Sequence, residues 1–470
     1  MKPSGLLISV FISGACAMVV EIGGGRIIAP YLGTTIYTWA AVIGLVLAAL
    51  SAGYYLGGSL ADRHKDRKHL ATIFFLAALC TLLVPLFAAV IVPFTVLLPL
   101  ALASLVSASI LIPASAFYGM VSPYAIRLVS HEGDIGKSSG EVFALSTVGS
   151  IIGTLATGFI LIPNISIIWV FIGAAAAMLA AGLLLGAKVE KIDMFVFFLL
   201  VIPVSLVGFP PLAIGSVIYQ AGSEYYTITV VDNASWGNST GRILLLDDAY
   251  STGEAPDGTP LFEYVREGLK AAGLAKSPGR ALVIGVGGGT EVEGLKSEFP
   301  GIVVDGVEID PKVAETACRY FSLKRDNRTN IIIDDGRRYV KTTDKRYDVV
   351  IIDVFRGRSI PPHLMSVEFV RELKGATNPG AVVIVNIISP LEGERSRFIR
   401  LVSDTYSSVF QGVALLPLGR DPNIPQNVVL VATDGDLSDF LSSHTGRAFR
   451  PAAGGRVVTD DLNPMEVLVQ

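Results

Sequence analysis

Hydrophobic positions follow two different patterns along this chain. Up to about residue 212 they form long unbroken blocks, near 4–22, 36–60, 70–92, 97–121, 141–162, 166–187 and 193–212. Each block approaches the roughly 20 helical residues needed to cross about 30 Å of hydrocarbon, so the pattern predicts about seven transmembrane helices. Beyond residue 212 the blocks shorten. Residues 224–247 alternate on either side of a Gly/Asn/Ser turn and predict a β-hairpin. Strands are then expected at 280–286, 301–308, 330–334, 347–353 and 381–387, with helices at 290–298, 311–321 and 366–374 between them. Strands alternating with helices predict a mostly parallel, doubly wound sheet with right-handed crossovers.

Charge sharpens the division. Residues 1–212 hold 10 Lys/Arg and 8 Asp/Glu, and the remainder of the chain holds 27 and 33. The expected organisation is a multi-pass α-helical membrane domain over 1–212, then a doubly wound, Rossmann-like α/β domain over 213–470. Within the latter, a hairpin region spans 215–250 and a Rossmann-like core 278–435. The acidic balance of the second part excludes non-specific nucleic-acid binding, which needs a basic surface. Cys16, Cys80 and Cys318 are scattered and give neither a metal-ligand spacing nor a disulfide framework.

Loop charges predict orientation. Arg63, Lys65, Arg67 and Lys68 form a basic loop, joined by Arg127 with Lys137 and Lys188 with Lys191, while the loops near Pro93 and Pro163 carry no charge. The basic set belongs in the cytoplasm, and the N-terminus with it. Seven crossings would then put the second domain outside, away from any cofactor made in the cytosol. A cytoplasmic catalytic domain therefore requires one apolar run to be re-entrant or split, as Pro203, Pro210 and Pro211 suggest for the last. Glu21, with Gly23, Gly24, Gly25, Arg26 and Pro30 after it, predicts a break in the first helix and a polar spot in the membrane. The bland alternative is a Glu21–Arg26 pair at the interface.

In a doubly wound sheet, ligands bind at the carboxyl ends of the strands. Gly285, Gly287, Gly288 and Gly289 end the first strand, where missing side chains let a ligand approach the backbone. Glu308 ends the second strand, placed to grip both hydroxyls of a ribose. Asp334, Asp335 and Gly336 end the third, where Asp335 either accepts from an adenine amino group or caps the next helix. Asp353 ends the fourth, with a catalytic or binding role set against structural capping. These features specify a nucleoside, and no Walker-type Lys follows the glycines. NAD(P) fits them less well.

The order GVGGGTE, VEID, DDG, YDVVIID resembles class I S-adenosylmethionine-dependent transferases. More closely, residues 215–390 resemble the spermidine synthase (polyamine aminopropyltransferase) family. LLLDDAYS at 244–251 and LFEYV at 261–265 are similar to that family's L-D-G-x-x-Q and F-x-Y elements, and IIDVFRGRSIPPHLMSVEF with the late TDDLNPME resemble its membrane-fused members. The resemblance implies ribose, adenine and catalytic-base roles for Glu308, Asp335 and Asp353, with Tyr264 carried over to the substrate side. It implies decarboxylated S-adenosylmethionine or S-adenosylmethionine as cofactor, no metal, and a homodimer. Four positions depart from it: Gly288 for Asp in the glycine loop, Ser251 for Gln, Tyr226 near an expected Gln, and Arg356 for the second Asp of D-x-x-D.

Arg356 repels a diamine and favours a carboxylate or phosphate. The expected acceptor is thus a small-molecule or lipid-like amine with an anionic or amphiphilic part, reached from the bilayer. His363 is a candidate lid residue and Asp460 a candidate on the acceptor pocket, each against a plain structural role. Two other functions compete: methyl transfer from S-adenosylmethionine, and a transporter with a nucleoside-sensing domain.

Overall fold

The computed structural model describes residues 4–32, 35–95, 98–130, 135–185, 200–204, 215–237, 239–247, 249–354, 361–452 and 455–461. Two compact units emerge, Met1–Pro210 with Ala221–Tyr226, and Pro211–Gln220 with Thr227–Gln470.

The first unit contains, among the described residues, six helices long and apolar enough to cross a membrane. These are α1 (Ser4–Leu32), α2 (Ile36–Arg63), α3 (Arg67–Thr95), α4 (Leu100–Val129), α5 (Ile135–Asn164) and α6 (Ile167–Leu184). They account for the first six predicted runs. The seventh lies mostly outside the described residues. One expectation is corrected: α1 does not break after Glu21 but runs on through Gly23–Gly25 to Leu32. These glycines are places of close packing, where added Cβ atoms would meet Phe171, Leu111 and Trp39 within 2.5–3.0 Å. Arg26 donates to the Tyr225 carbonyl oxygen. Small residues bring helix backbones together elsewhere too. A Cβ on Gly53 would lie 2.1 Å from the Ala116 carbonyl oxygen, and one on Gly149 2.2 Å from that of Phe11. Gly158, by contrast, has open space around it.

In the second unit, β1 (Ser216–Gly222), β2 (Thr227–Trp236), β3 (Ser239–Leu246) and β4 (Ala249–Glu254) form a sheet in that order. The predicted hairpin is β2–β3, in antiparallel register with Val230 opposite Leu244. The larger sheet has seven strands: β5 (Arg280–Ile284), β6 (Val303–Glu308), β7 (Thr329–Ile333), β8 (Tyr347–Ile352), β9 (Thr377–Ser389), β10 (Gly412–Pro417) and β11 (Gln426–Thr433). Their order is β10-β11-β9-β8-β5-β6-β7. Strands β5 to β9 are parallel, whereas β11 and β10 are antiparallel.

The central strands are apolar on both faces because helices cover both. Leu282, Val350 and Val383 pack into one core, and Val283, Val349 and Val382 into the other. Helix α7 (Glu263–Ala272) lies against β9 and β11, α8 (Thr290–Glu298), α9 (Pro311–Tyr320) and α10 (Gly336–Thr342) serve the β5–β6 side, and α11 (Val367–Gly375) and α12 (Arg397–Ser407) the rest. Strand order reverses between β5 and β8, so the crevice at the carboxyl ends of these two strands is the expected ligand position.

Candidate active site

Chain geometry at the end of β5 depends on glycine. Gly285, Gly287 and Gly289 all have positive φ, at +85°, +51° and +88°. A Cβ on Gly285 would lie 2.0 Å from the Asp353 carbonyl oxygen, so the ends of β5 and β8 touch only because a side chain is missing. Gly289 then caps α8 in the left-handed conformation.

Glu308, at the end of β6, is buried and turned onto this loop. Its Oε2 accepts from the Val286 and Gly287 amides at 3.0 and 3.3 Å, and its Oε1 from the Asp310 amide at 3.0 Å. Burial pushes its carboxyl up from the ordinary value, with the three amides opposing. A carboxylate offers about four acceptor sites, so one on Oε1 is left for a ligand hydroxyl. Of the two roles foreseen for Asp335, the helix cap is present: its Oδ1 caps α10 by accepting from the Arg337 and Arg338 amides, each at 3.0 Å, while Oδ2 faces His363 Nε2 at 2.9 Å. Burial works against its ionisation, but these partners outweigh it and hold the carboxyl below its usual range. Gly336 packs on Ile284, where a Cβ would come within 2.4 Å. Open acceptor sites on Glu308 and Asp335 beside an amide-rich glycine turn fit a nucleoside, whose hydroxyl and amino groups are donors.

Asp353 follows β8 directly. Its Oδ2 accepts from the Tyr264 hydroxyl at 2.9 Å and its Oδ1 from Asn386 Nδ2 at 2.9 Å. Asn427 Nδ2 donates in turn to Asn386 Oδ1 at 2.9 Å, so neighbouring strands β8, β9 and β11 carry a short chain of donors ending on this carboxylate. Burial raises the carboxyl of Asp353, while Asn386, Tyr264 and Glu291 pull it back. Burial, followed by the negative charge of Asp353, pushes the Tyr264 phenol well above its ordinary value, so it remains a donor.

A cavity of about 570 Å³ opens beside Asp353. Its walls include Trp236, Tyr250, Phe262 and Tyr264, with ring centroids 4.7 Å apart for Trp236–Phe262 and 5.1 Å for Trp236–Tyr250. Asn386, Gln426 and Asn427 add amides. Asp460 is elsewhere engaged: both its oxygens accept from Arg337 at 2.7 Å, and Glu372 shares that guanidinium. Neither His363 nor Asp460 is among the residues around this cavity. Tyr226 is a buried residue of the hairpin region, 6.4 Å from Tyr225 ring to ring, and is not in the wall either. Arg356 falls outside the described residues.

Sequence reasoning missed Asn386, Asn427 and Glu291. Asn386 is a polar residue in an otherwise apolar run, AVVIVNII, and that break was a usable signal. Asn427 pairs with it only through the antiparallel β11, which the sequence did not foretell.

A sheet in this order, with a glycine turn after the first strand of its parallel part and acidic side chains after the next three, defines a Rossmann-like domain of the class I S-adenosylmethionine transferase type. Residues 269–417 match the Spermine/spermidine synthase domain, so this part of the chain is similar to spermidine synthases. It is 36% identical over 152 residues to a polyamine aminopropyltransferase of Vibrio vulnificus, a match covering 32% of this chain and 49% of that protein. It is also 32% identical over 127 residues to the human eEF1A lysine and N-terminal methyltransferase, covering 24% of this chain and 18% of that one. The chain thus spans about half the length of the bacterial relative. Among solved structures, a probable spermidine synthase from Corynebacterium glutamicum aligns with 52% of this chain and 97% of its own, at 20% identity and a TM-score of 0.41.

Proposed function

We propose that this protein is a membrane-anchored aminopropyltransferase. It would use decarboxylated S-adenosylmethionine and an amine-bearing acceptor that is amphiphilic or anionic. One observation carries this reading: Asp353 stands between the glycine turn and an aromatic cavity, held by Tyr264 and Asn386. Bound at Glu308 and Asp335, the sulfonium nucleoside supplies an electrophilic carbon and a thioether leaving group.

The residues of the chain then have limited work. They must align the acceptor and accept its proton. An amine in the cavity lies within reach of Asp353, which takes a proton from the ammonium form. The amine lone pair then forms the C–N bond as the C–S bond breaks toward sulfur. Trp236, Tyr250 and Phe262 suit an apolar or cationic body, and the amides of Gln426 and Asn427 suit a polar group beyond it. The anionic part of the acceptor is supported by Arg356 from the sequence. The six apolar helices support anchoring in a cell membrane with the catalytic domain in the cytoplasm, where the nucleoside is made.

Methyl transfer from S-adenosylmethionine is the second reading, favoured by the match to the human methyltransferase. One experiment separates the two. The purified full chain is incubated with S-adenosylmethionine or its decarboxylated form, plus a lipid and metabolite extract, and the released nucleoside is identified. Methylthioadenosine supports aminopropyl transfer, S-adenosylhomocysteine replaces it with methyl transfer, and neither product returns the protein to the sensor reading.

A further inference from the structure

A void of about 10 Å³, room for one water at most, shares Tyr264, Asp353 and Asn386 with the wall of the aromatic cavity. Tyr264, Val265 and Gly268 of α7, Glu291 of α8, Ile351 and Asp353 from the β8 end, Ile384 and Asn386 of β9 and Val429 of β11 enclose it. The titratable groups among them are Tyr264, Asp353 and Glu291, and no Lys or Arg is present. Glu291 is 5% exposed. Its Oε2 accepts from the Thr290 hydroxyl at 3.2 Å, and it shares the wall of this small void with Asp353. Two carboxyl groups in such a space resist ionising together near neutral pH, because no cation offsets their repulsion or their lost hydration.

We propose that Glu291 is a positioning residue for this site: it stays protonated beside Asp353 and donates a hydrogen bond to that carboxylate, so that the two carboxyls share one negative charge. The inference rests on the transfer reading above. With Tyr264 and Asn386, Glu291 completes a set of three donors around Asp353, which fixes the carboxylate and leaves it one charge to meet an incoming ammonium. When the acceptor gives up its proton, Asp353 becomes neutral and the pair holds two protons, one of which returns to water after transfer. Burial, and then the charge of Asp353, pushes the Glu291 carboxyl up to about 8, in line with this arrangement.

The test uses the full-length protein and two readouts. Infrared spectra of the wild type near neutral pH are expected to show the C=O stretch of a buried neutral carboxyl. It should fade as pH rises through about 8 and be absent from Glu291→Gln. In transfer assays, Glu291→Leu, which lacks a donor, should lose about tenfold or more in kcat with the KM for the nucleoside kept. Its acidic limb should move to higher pH, because Asp353 has lost a partner that favours its ionised form. Glu291→Gln keeps a donor, so it should recover a good part of that loss while losing the alkaline limb. Absence of the band, its survival in Glu291→Gln, or equal rates and pH profiles for the two variants would overturn the proposal. If the band behaves as expected but no acceptor is consumed, the shared proton stands and the transfer reading falls.

Discussion

Glu308 and Asp353 end two parallel strands of one sheet, both are largely buried, and they are held in opposite ways. Glu308 rests on three backbone amides. Asp353 rests on side chains, a phenol and an amide, with a second carboxyl on the same small void. Backbone amides are fixed by the fold, do not titrate and hardly reorient. Side-chain donors can be tuned, and in this case one of them is itself an acid. The first arrangement suits a binding group whose charge and direction must not change, whereas the second suits a group that must gain and lose a proton.

The sharpest way to break this contrast is Asp353→Asn. The amide cannot take a proton, and its NH₂ faces donors that need an acceptor. Turnover is expected to fall by about 10²- to 10⁴-fold, while calorimetric titration with the nucleoside should give nearly the wild-type Kd. A nucleoside affinity that fell along with turnover would mean that Asp353 belongs to the binding side.

Gly285→Ala tests where the two sides meet. Its Cβ would press on the Asp353 carbonyl oxygen, at a backbone angle that L residues adopt at a cost of about 1–3 kcal/mol. Both stability by denaturant unfolding and transfer should suffer, because Asp353 must move to make room. Glu308→Gln should act more selectively: a neutral amide keeps one acceptor but leaves loop amides unsatisfied. Nucleoside affinity is expected to weaken by about ten- to a hundredfold, in proportion to roughly 1–3 kcal/mol, with kcat at saturation largely retained.

The same contrast explains what could be read from the sequence. Strand ends carrying Gly285–Gly289, Glu308, Asp335 and Asp353 are local patterns, a run of β-branched residues followed by a glycine or an acid, and the fold places them where pattern alone suggested. What surrounds Asp353 is not local. Tyr264 was available only through family resemblance. Asn386 and Asn427 meet across antiparallel β11, and Glu291 reaches Asp353 from the first turn of a helix whose acidic residues look like ordinary N-terminal charges. Such pairings depend on strand order and helix rotation, which periodicity does not encode. Asp460, a candidate for the acceptor pocket set against a structural role, is held by Arg337 of α10, a pairing that periodicity does not encode either.

Asp460 also supplies the smallest and cleanest check, because it is a third kind of carboxylate, held by a cation. The two hydrogen bonds from Arg337, opposed by slight burial, draw its carboxyl down to about 2. A depressed carboxylate stabilises the fold above its unfolded value, near 4, and that contribution is lost as pH falls through about 2. The side chain of Asp460 is 42% exposed and Glu372 still pairs with Arg337 without it, so the contribution is small. Asp460→Asn should cost less than about 1 kcal/mol at neutral pH, and the difference from wild type in urea unfolding should shrink steadily between about pH 4 and pH 2. Transfer rates should be nearly unchanged, since this residue is not in the cavity wall. A loss of turnover in Asp460→Asn as large as that in Asp353→Asn would instead return the C-terminal segment to the acceptor site.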